Sequence, residues 1–91
     1  MINENKIKMV NIQQIAEKGA EIYSKIKGQY EPKENGRFLA IDVYNGDVFF
    51  GVTSVEAVEK ARGSHPNEVF YVVKIGFSAA ETLARLAMSH L

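Results

Sequence analysis

The sequence predicts an α+β domain in the order α-β-β-α-β-α, with a three-stranded sheet of order 2-1-3 packed on helices. Three observations carry this. Apolar residues recur at helical spacing between Ile12 and Tyr30. Asn45-Gly46 stands between two runs rich in β-branched and aromatic residues, the strongest short-range hairpin signal. Thr53-Ser54-Val55-Glu56 has the pattern of a capping box before a second helical stretch, and a dense apolar run follows at 69–75.

The elements follow in order. Residues 1–10 are polar, of mixed charge, and expected to fray. From Asn11 onward, Ile12, Ile15, Ala16, Gly19, Ile22, Tyr23, Ile26 and Tyr30 form one stripe of an amphipathic helix. Asn11 with Gln14 resembles a capping box, and Glu21 precedes Lys25 by one helical turn. Gly28 and Pro32 end the helix, and 31–36 is a charged loop. Residues 37–44 and 47–52 read as paired strands. The middle helix carries Val55, Val58 and Ala61 and stops near Gly63 and Pro66. After the strand at 69–75 and the breaker Gly76, Ser78 and Glu81 again suggest a cap. Leu83, Leu86 and Ala87 follow, so a short helix is expected within 77–91. A right-handed crossover sets the third strand parallel to the second, and the simplest place for it is beside the first.

A two-residue turn at Asn45-Gly46 places Tyr44 opposite Asp47 and fixes the two faces of the sheet. One face reads Leu39, Ile41, Val43, Val48, Phe50 and Val52, joined by Val69, Tyr71, Val73 and Ile75. It is apolar and expected to meet the first and middle helices. The other reads Phe38, Ala40, Asp42, Tyr44, Asp47, Phe49 and Gly51, with Phe70, Val72 and Lys74. An open sheet usually has a polar outer face. The aromatic–acidic composition of this one marks Phe38, Asp42, Tyr44, Phe49, Phe70 and Val72, with Leu83 and Leu86 of the last segment, as candidate interaction residues. The competing reading has the C-terminal helix or the first helix folding over the face. Asp42 and Lys74 are expected to neighbour each other across strands.

Composition narrows the function classes. A chain of 91 residues suits one domain. Apolar residues make up 46% and charged residues 24%, too apolar and balanced for a disordered chain. Lys plus Arg equals Asp plus Glu at 11 each. Such a balance gives no net basic field for nucleic acid or anionic membranes, and it does not oppose self-association. With no cysteine, thiolate chemistry, disulfides and cysteine–metal sites are excluded, and a reducing cytoplasm is expected. No stretch is apolar enough for a signal peptide or membrane span.

Candidate chemistry is sparse. Asp42 and Asp47 share a face as a conceivable acid–base pair, but turn and cross-strand roles explain both. His65 follows a helix end and His90 lies near the terminus, without ligand spacing. The glycines stand singly rather than in a phosphate loop, and Ser54, Ser64 and Ser78 fall at helix boundaries. Lys25, Lys27, Lys33 and Arg37 cluster near Tyr23 and Tyr30, but Glu21, Glu31 and Glu34 interleave with them. No catalytic residue, metal or cofactor is assigned.

Tyr30, Gly36-Arg37-Phe38-Leu39-Ala40-Ile41, Asn45-Gly46-Asp47-Val48, Gly51, the 54–61 helix and Phe70-Tyr71-Val72-Val73-Lys74-Ile75-Gly76 together resemble a family of short prokaryotic domains of unknown function. That family's pattern is a Y-x-G-K-hydrophobic-A strand, a glycine hairpin, a T-x-x-E-A-x-x-K-A helix and an apolar last strand. The helix is also similar to part of small antitoxin-type proteins with a double-stranded-RNA-binding or nuclease-like fold. The resemblance covers about residues 30–76, supports the fold, and supplies no catalytic motif. The expected function is a non-enzymatic protein-interaction module, homodimeric or an antitoxin-like partner protein. The alternatives are a weak nucleic-acid binder using the first helix's lysines, or a small-molecule sensor or enzyme using the aromatic–acidic face.

Overall fold

Helical spacing produces the first element: α1 runs Ile12–Ile26 and tightens into a 3-10 turn at Lys27–Gln29. This computed structural model describes residues 12–77 and the backbone of Arg85–Met88. The Asn11 cap, the 1–10 segment, Leu83 and His90 lie outside the described residues. Strands β1 (Phe38–Asp42) and β2 (Val48–Gly51) form the hairpin. Helix α2 (Ser54–Ser64) leads to β3 (Val69–Lys74) and β4 (Arg85–Met88). β1 pairs antiparallel with both β2 and β3, giving the 2-1-3 order, and β4 adds antiparallel beyond β3.

β4 corrects the expected C-terminal helix at Arg85–Met88, while its Ser78–Glu81 cap lies outside the described residues. Capping residues and leucines at helical spacing permit a helix locally, but Arg85–Met88 instead meets the open edge of β3, with Leu86 opposite Tyr71. That pairing is non-local, and no local pattern announces it.

The hairpin loop is also longer than expected. Asp42 N donates to Asp47 O at 2.8 Å and Gly46 N to Asp42 O at 2.7 Å, so the loop spans residues 43–46. The cause is the Asp42 side chain: its Oδ1 accepts from Tyr44 N at 2.9 Å and Asn45 N at 3.4 Å, starting the turn early. Asn45 Oδ1 in turn accepts from Asp47 N at 2.9 Å, and Gly46 holds φ +83°. Leu39 therefore opposes Phe50 rather than Val52. The slip is two residues, an even number, so the strand faces survive it.

Each face carries its own helix. Ile15 and Tyr23 of α1 pack with Leu39, Ile41, Val43, Val69, Tyr71, Val73 and Ile75. Ala57 and Ala61 of α2 pack with Ala40, Phe70 and Val72, flanked by Phe38, Phe49 and Val58. The expectation that both helices share one face is thus corrected, and the buried side of α2 is its alanines, with Val55 63% exposed. Small residues make this possible. A Cβ on Gly51 would lie 2.4 Å from the Ala57 backbone nitrogen, so glycine lets α2 lie directly on β2. The α2 start is capped: Thr53 Oγ1 accepts from Glu56 N at 3.1 Å, and Glu56 Oε1 accepts from Val52 N at 2.6 Å.

Gly19 does for α1 what Gly51 does for α2. A Cβ there would come within 2.1 Å of Tyr71 Cγ. Helix propensity alone favours Gly19→Ala by about 1 kcal/mol. Overpacking against the buried Tyr71 ring costs about 1–3 kcal/mol, so the variant should lose stability in a denaturant titration. Gly28→Ala, with nothing within 4 Å of the new Cβ, serves as the comparison. Equal midpoints for the two would overturn the close contact. Gly46→Val should lose about 1–3 kcal/mol, because a β-branched residue resists positive φ. An unchanged melting temperature would contradict the loop geometry.

Candidate functional site

The residues singled out as an interaction face do not form an open one. Phe70 is 0% and Val72 5% exposed, both beneath α2. Phe38 and Phe49 are half-buried against the same cluster. Asp42 is fully buried, and among the candidates whose side chains are described Tyr44, at 61% exposure in the hairpin loop, is the one that faces solvent. Leu86 sits in β4, and Leu83 lies outside the described residues. The middle helix, rather than a terminal one, covers this face. Ala40 and Gly51 on the sheet, with Ala57 and Ala61 one helical turn apart, were the available signal: small residues on both surfaces permit close docking.

Asp42 does not meet Lys74. The β1–β3 register sets Asp42 opposite Phe70 and Phe38 opposite Lys74, so the two charges occupy one face at opposite ends. Lys74 Nζ lies 4.5 Å from the Phe77 ring centroid. Asp42 spends one carboxylate oxygen on the loop amides, and its Oδ2 has no hydrogen-bond partner. Asp47 turns to His65, whose Nε2 lies 2.8 Å from Asp47 Oδ2, and the His65 ring stands edge-on to Phe49 at 5.7 Å. This ties the end of α2 to the hairpin rather than building an acid–base dyad.

Two members of the basic cluster are engaged, while Lys27 and Lys33 are exposed. Lys25 lies 3.8 Å from Glu21, and Arg37 lies 3.5 Å from Glu34. Tyr30 stacks on Phe50. Tyr23, which sequence grouped with the lysines, is buried. Its hydroxyl donates to the Glu31 carboxylate and accepts from Gly76 N at 3.0 Å, joining α1, the following loop and the end of β3. Burial, then the Glu31 bond, pushes its pKa up to about 12. Burial also raises that of Tyr71.

Two clefts flank α1. One of about 510 Å³ lies between α1 and the hairpin loop, where Ile15, Val43 and Tyr44 meet Glu17, Lys18 and Glu21. The other, about 280 Å³, is lined by Tyr23, Tyr71, Val73, Phe77, Lys27 and Glu31 among others. Among the described residues no group of three acidic or histidine side chains could hold a metal ion, and no helix is long and apolar enough to cross a membrane.

The sheet edges differ, and sequence reasoning missed this. Asp42 bonds to Asp47 across the hairpin, so by antiparallel alternation Ala40–Phe49 and Phe38–Gly51 are the bonded pairs. The backbones of Val48, Phe50 and Val52 therefore face outward. α2 occupies two of these groups: Lys60 Nζ donates to Phe50 O at 2.9 Å, and Glu56 accepts from Val52 N. On the other flank, Ile75 N donates to Arg37 O at 2.7 Å, so the alternate residues Phe70 and Val72 bond to Ala87 and Arg85. The N–H and C=O of Leu86 and Met88 point away from β3, and among the described residues no strand lies beyond β4.

Comparison with protein-family models, curated proteins and solved structures yields no match to this chain.

The raised Tyr23 pKa has a stability consequence. The folded state keeps the phenol protonated to about pH 12, whereas an unfolded tyrosine ionises near 10. The stabilisation is complete below pH 10 and is lost as pH rises toward 12. Tyr71 contributes with the same sign, so the comparison needed is Tyr23→Phe. That variant should lose about 1–2 kcal/mol at neutral pH. It should also fall less steeply than wild type between pH 10 and 12 in urea titrations. Parallel pH profiles would remove the Tyr23 contribution.

Proposed function

We propose that this chain is a non-enzymatic protein-interaction module that engages its partner by strand addition at β4. The observation that carries the proposal is the difference between its edges. Lys60 caps the outward Phe50 carbonyl of β2 and Glu56 the Val52 amide just beyond it, whereas β4 turns the backbone of Leu86 and Met88 outward with no strand beyond it among the described residues. Unpaired edge groups template the addition of another strand, and proteins that do not use an edge cover or charge it. Both sheet faces are already covered by this chain's own helices. Lys25 and Arg37 lie in ion pairs and Tyr23 is buried, which favours the protein-interaction reading over nucleic-acid binding by this cluster.

Leu86→Pro tests this. Proline removes the outward N–H and is tolerated on an edge strand, and Leu86→Val controls for the lost side-chain bulk while keeping that N–H. A protein co-purifying with wild type from its native cells should be lost from Leu86→Pro and kept by Leu86→Val, which retains the N–H. Ala87→Pro should instead disturb β4 itself, since Ala87 opposes Phe70 in the bonded ladder. Equal retention of the partner by Leu86→Pro and wild type would exclude strand addition at this edge.

A further inference from the structure

We infer that the strand added at β4 is β4 of a second copy of this chain, running antiparallel about a two-fold axis at Ala87. The inference rests on the strand-addition reading above. In an antiparallel self-pairing only residues with outward backbone groups can exchange hydrogen bonds, and in β4 these are Leu86 and Met88. An axis at Ala87 uses both: Leu86 pairs with the partner's Met88, and Met88 with the partner's Leu86. An axis at Leu86 would leave Met88 without a partner inside the described strand. An axis at Arg85 would set two guanidinium charges directly opposite each other, which is destabilising.

The Ala87 register suits its residues in two further ways. The axial pair is of the non-hydrogen-bonded kind, with Cα atoms about 4.5 Å apart, and alanine is small enough for that approach. The two Arg85 positions are then offset by about four residues, roughly 13 Å along the strands and beyond the Debye length of physiological salt. The balanced charge, 11 basic against 11 acidic residues, adds no general repulsion between copies.

The two edges together also set where assembly stops. A two-fold axis normal to the sheet gives strand order β2-β1-β3-β4-β4-β3-β1-β2 and keeps each α1 on the same face. Both outer edges of that sheet are β2, where Lys60 occupies the Phe50 carbonyl and Glu56 holds the Val52 amide at the strand's end. One open and one guarded edge per chain closes the assembly at two copies.

The absence of cysteine allows a direct test in the full chain. The Cα separation at the axis lies within the range a disulfide spans, so Ala87→Cys should cross-link to its own copy on mild oxidation. Arg85→Cys, far from its symmetry mate, should not. Roughly tenfold more linked dimer is expected from Ala87→Cys than from Arg85→Cys. Sedimentation of the wild type should give twice the monomer mass and no larger species, and Leu86→Pro should sediment as monomer. Wild type that stays monomeric at its highest soluble concentration, or Ala87→Cys linking no better than Arg85→Cys, would overturn the inference. Growth into larger oligomers would overturn the closure. If the wild type is monomeric but Leu86→Pro still loses a different co-purifying protein, the second copy is excluded and strand addition stands.

Discussion

β1 lies at the centre of the sheet with a helix on each face, and that double burial governs the rest of the molecule. Leu39, Ala40, Ile41 and Asp42 are all 0% exposed, so neither set of alternating side chains meets water. Leu39 and Ile41 supply bulk toward α1, and Ala40 leaves room toward α2. Bulk on one side and small residues on the other let a short strand serve two cores. Each large apolar side chain buried this way contributes about 1.5–3 kcal/mol relative to exposure. Gly51 and Gly19 complete the arrangement, because each helix comes close enough only where a Cβ is missing.

Polar groups buried in such layers must be satisfied by the chain itself. Two side chains do this at the sheet's ends. At the hairpin end, Asp42 gathers the amides of Tyr44 and Asn45 while keeping one oxygen unpartnered. At the other end, the Tyr23 hydroxyl bridges Glu31 and the Gly76 amide. Both look like functional residues in the sequence, as an acid and an aromatic beside lysines. In the fold they organise loops.

Covering both faces moves the question of interaction from faces to edges. A chain with one open face would recruit a partner by hydrophobic burial. Here the aromatic face is consumed internally by α2, and what distinguishes one flank from the other is backbone hydrogen bonding. The Glu56 and Lys60 side chains lie a helical turn apart at 4.0 Å, an exposed pair of small energetic weight as an ion pair. Their larger consequence is steric and directional, since Lys60 also bonds the Phe50 carbonyl of β2 and Glu56 the Val52 amide just beyond it, groups that a foreign strand would need.

The sequence by itself determined every element set by local chemistry. The α1 stripe, the existence of the hairpin, the Thr53 cap and the 2-1-3 order all stand. Alternation also assigned the strand residues to their faces, and apart from Val52, which lies past the end of β2 and is 55% exposed, those assignments survived a two-residue change of register because the side-chain period is two. Tertiary structure alone decided the remainder. Asp42 lengthened the loop, α2 took the face opposite α1, and Arg85–Met88 became a strand despite its helical pattern. Periodicity states which residues share a surface, but not which element covers it. That choice depends on how closely backbones can approach, at Gly19 against Tyr71 and Gly51 against Ala57, and on edge pairing between residues distant in the chain.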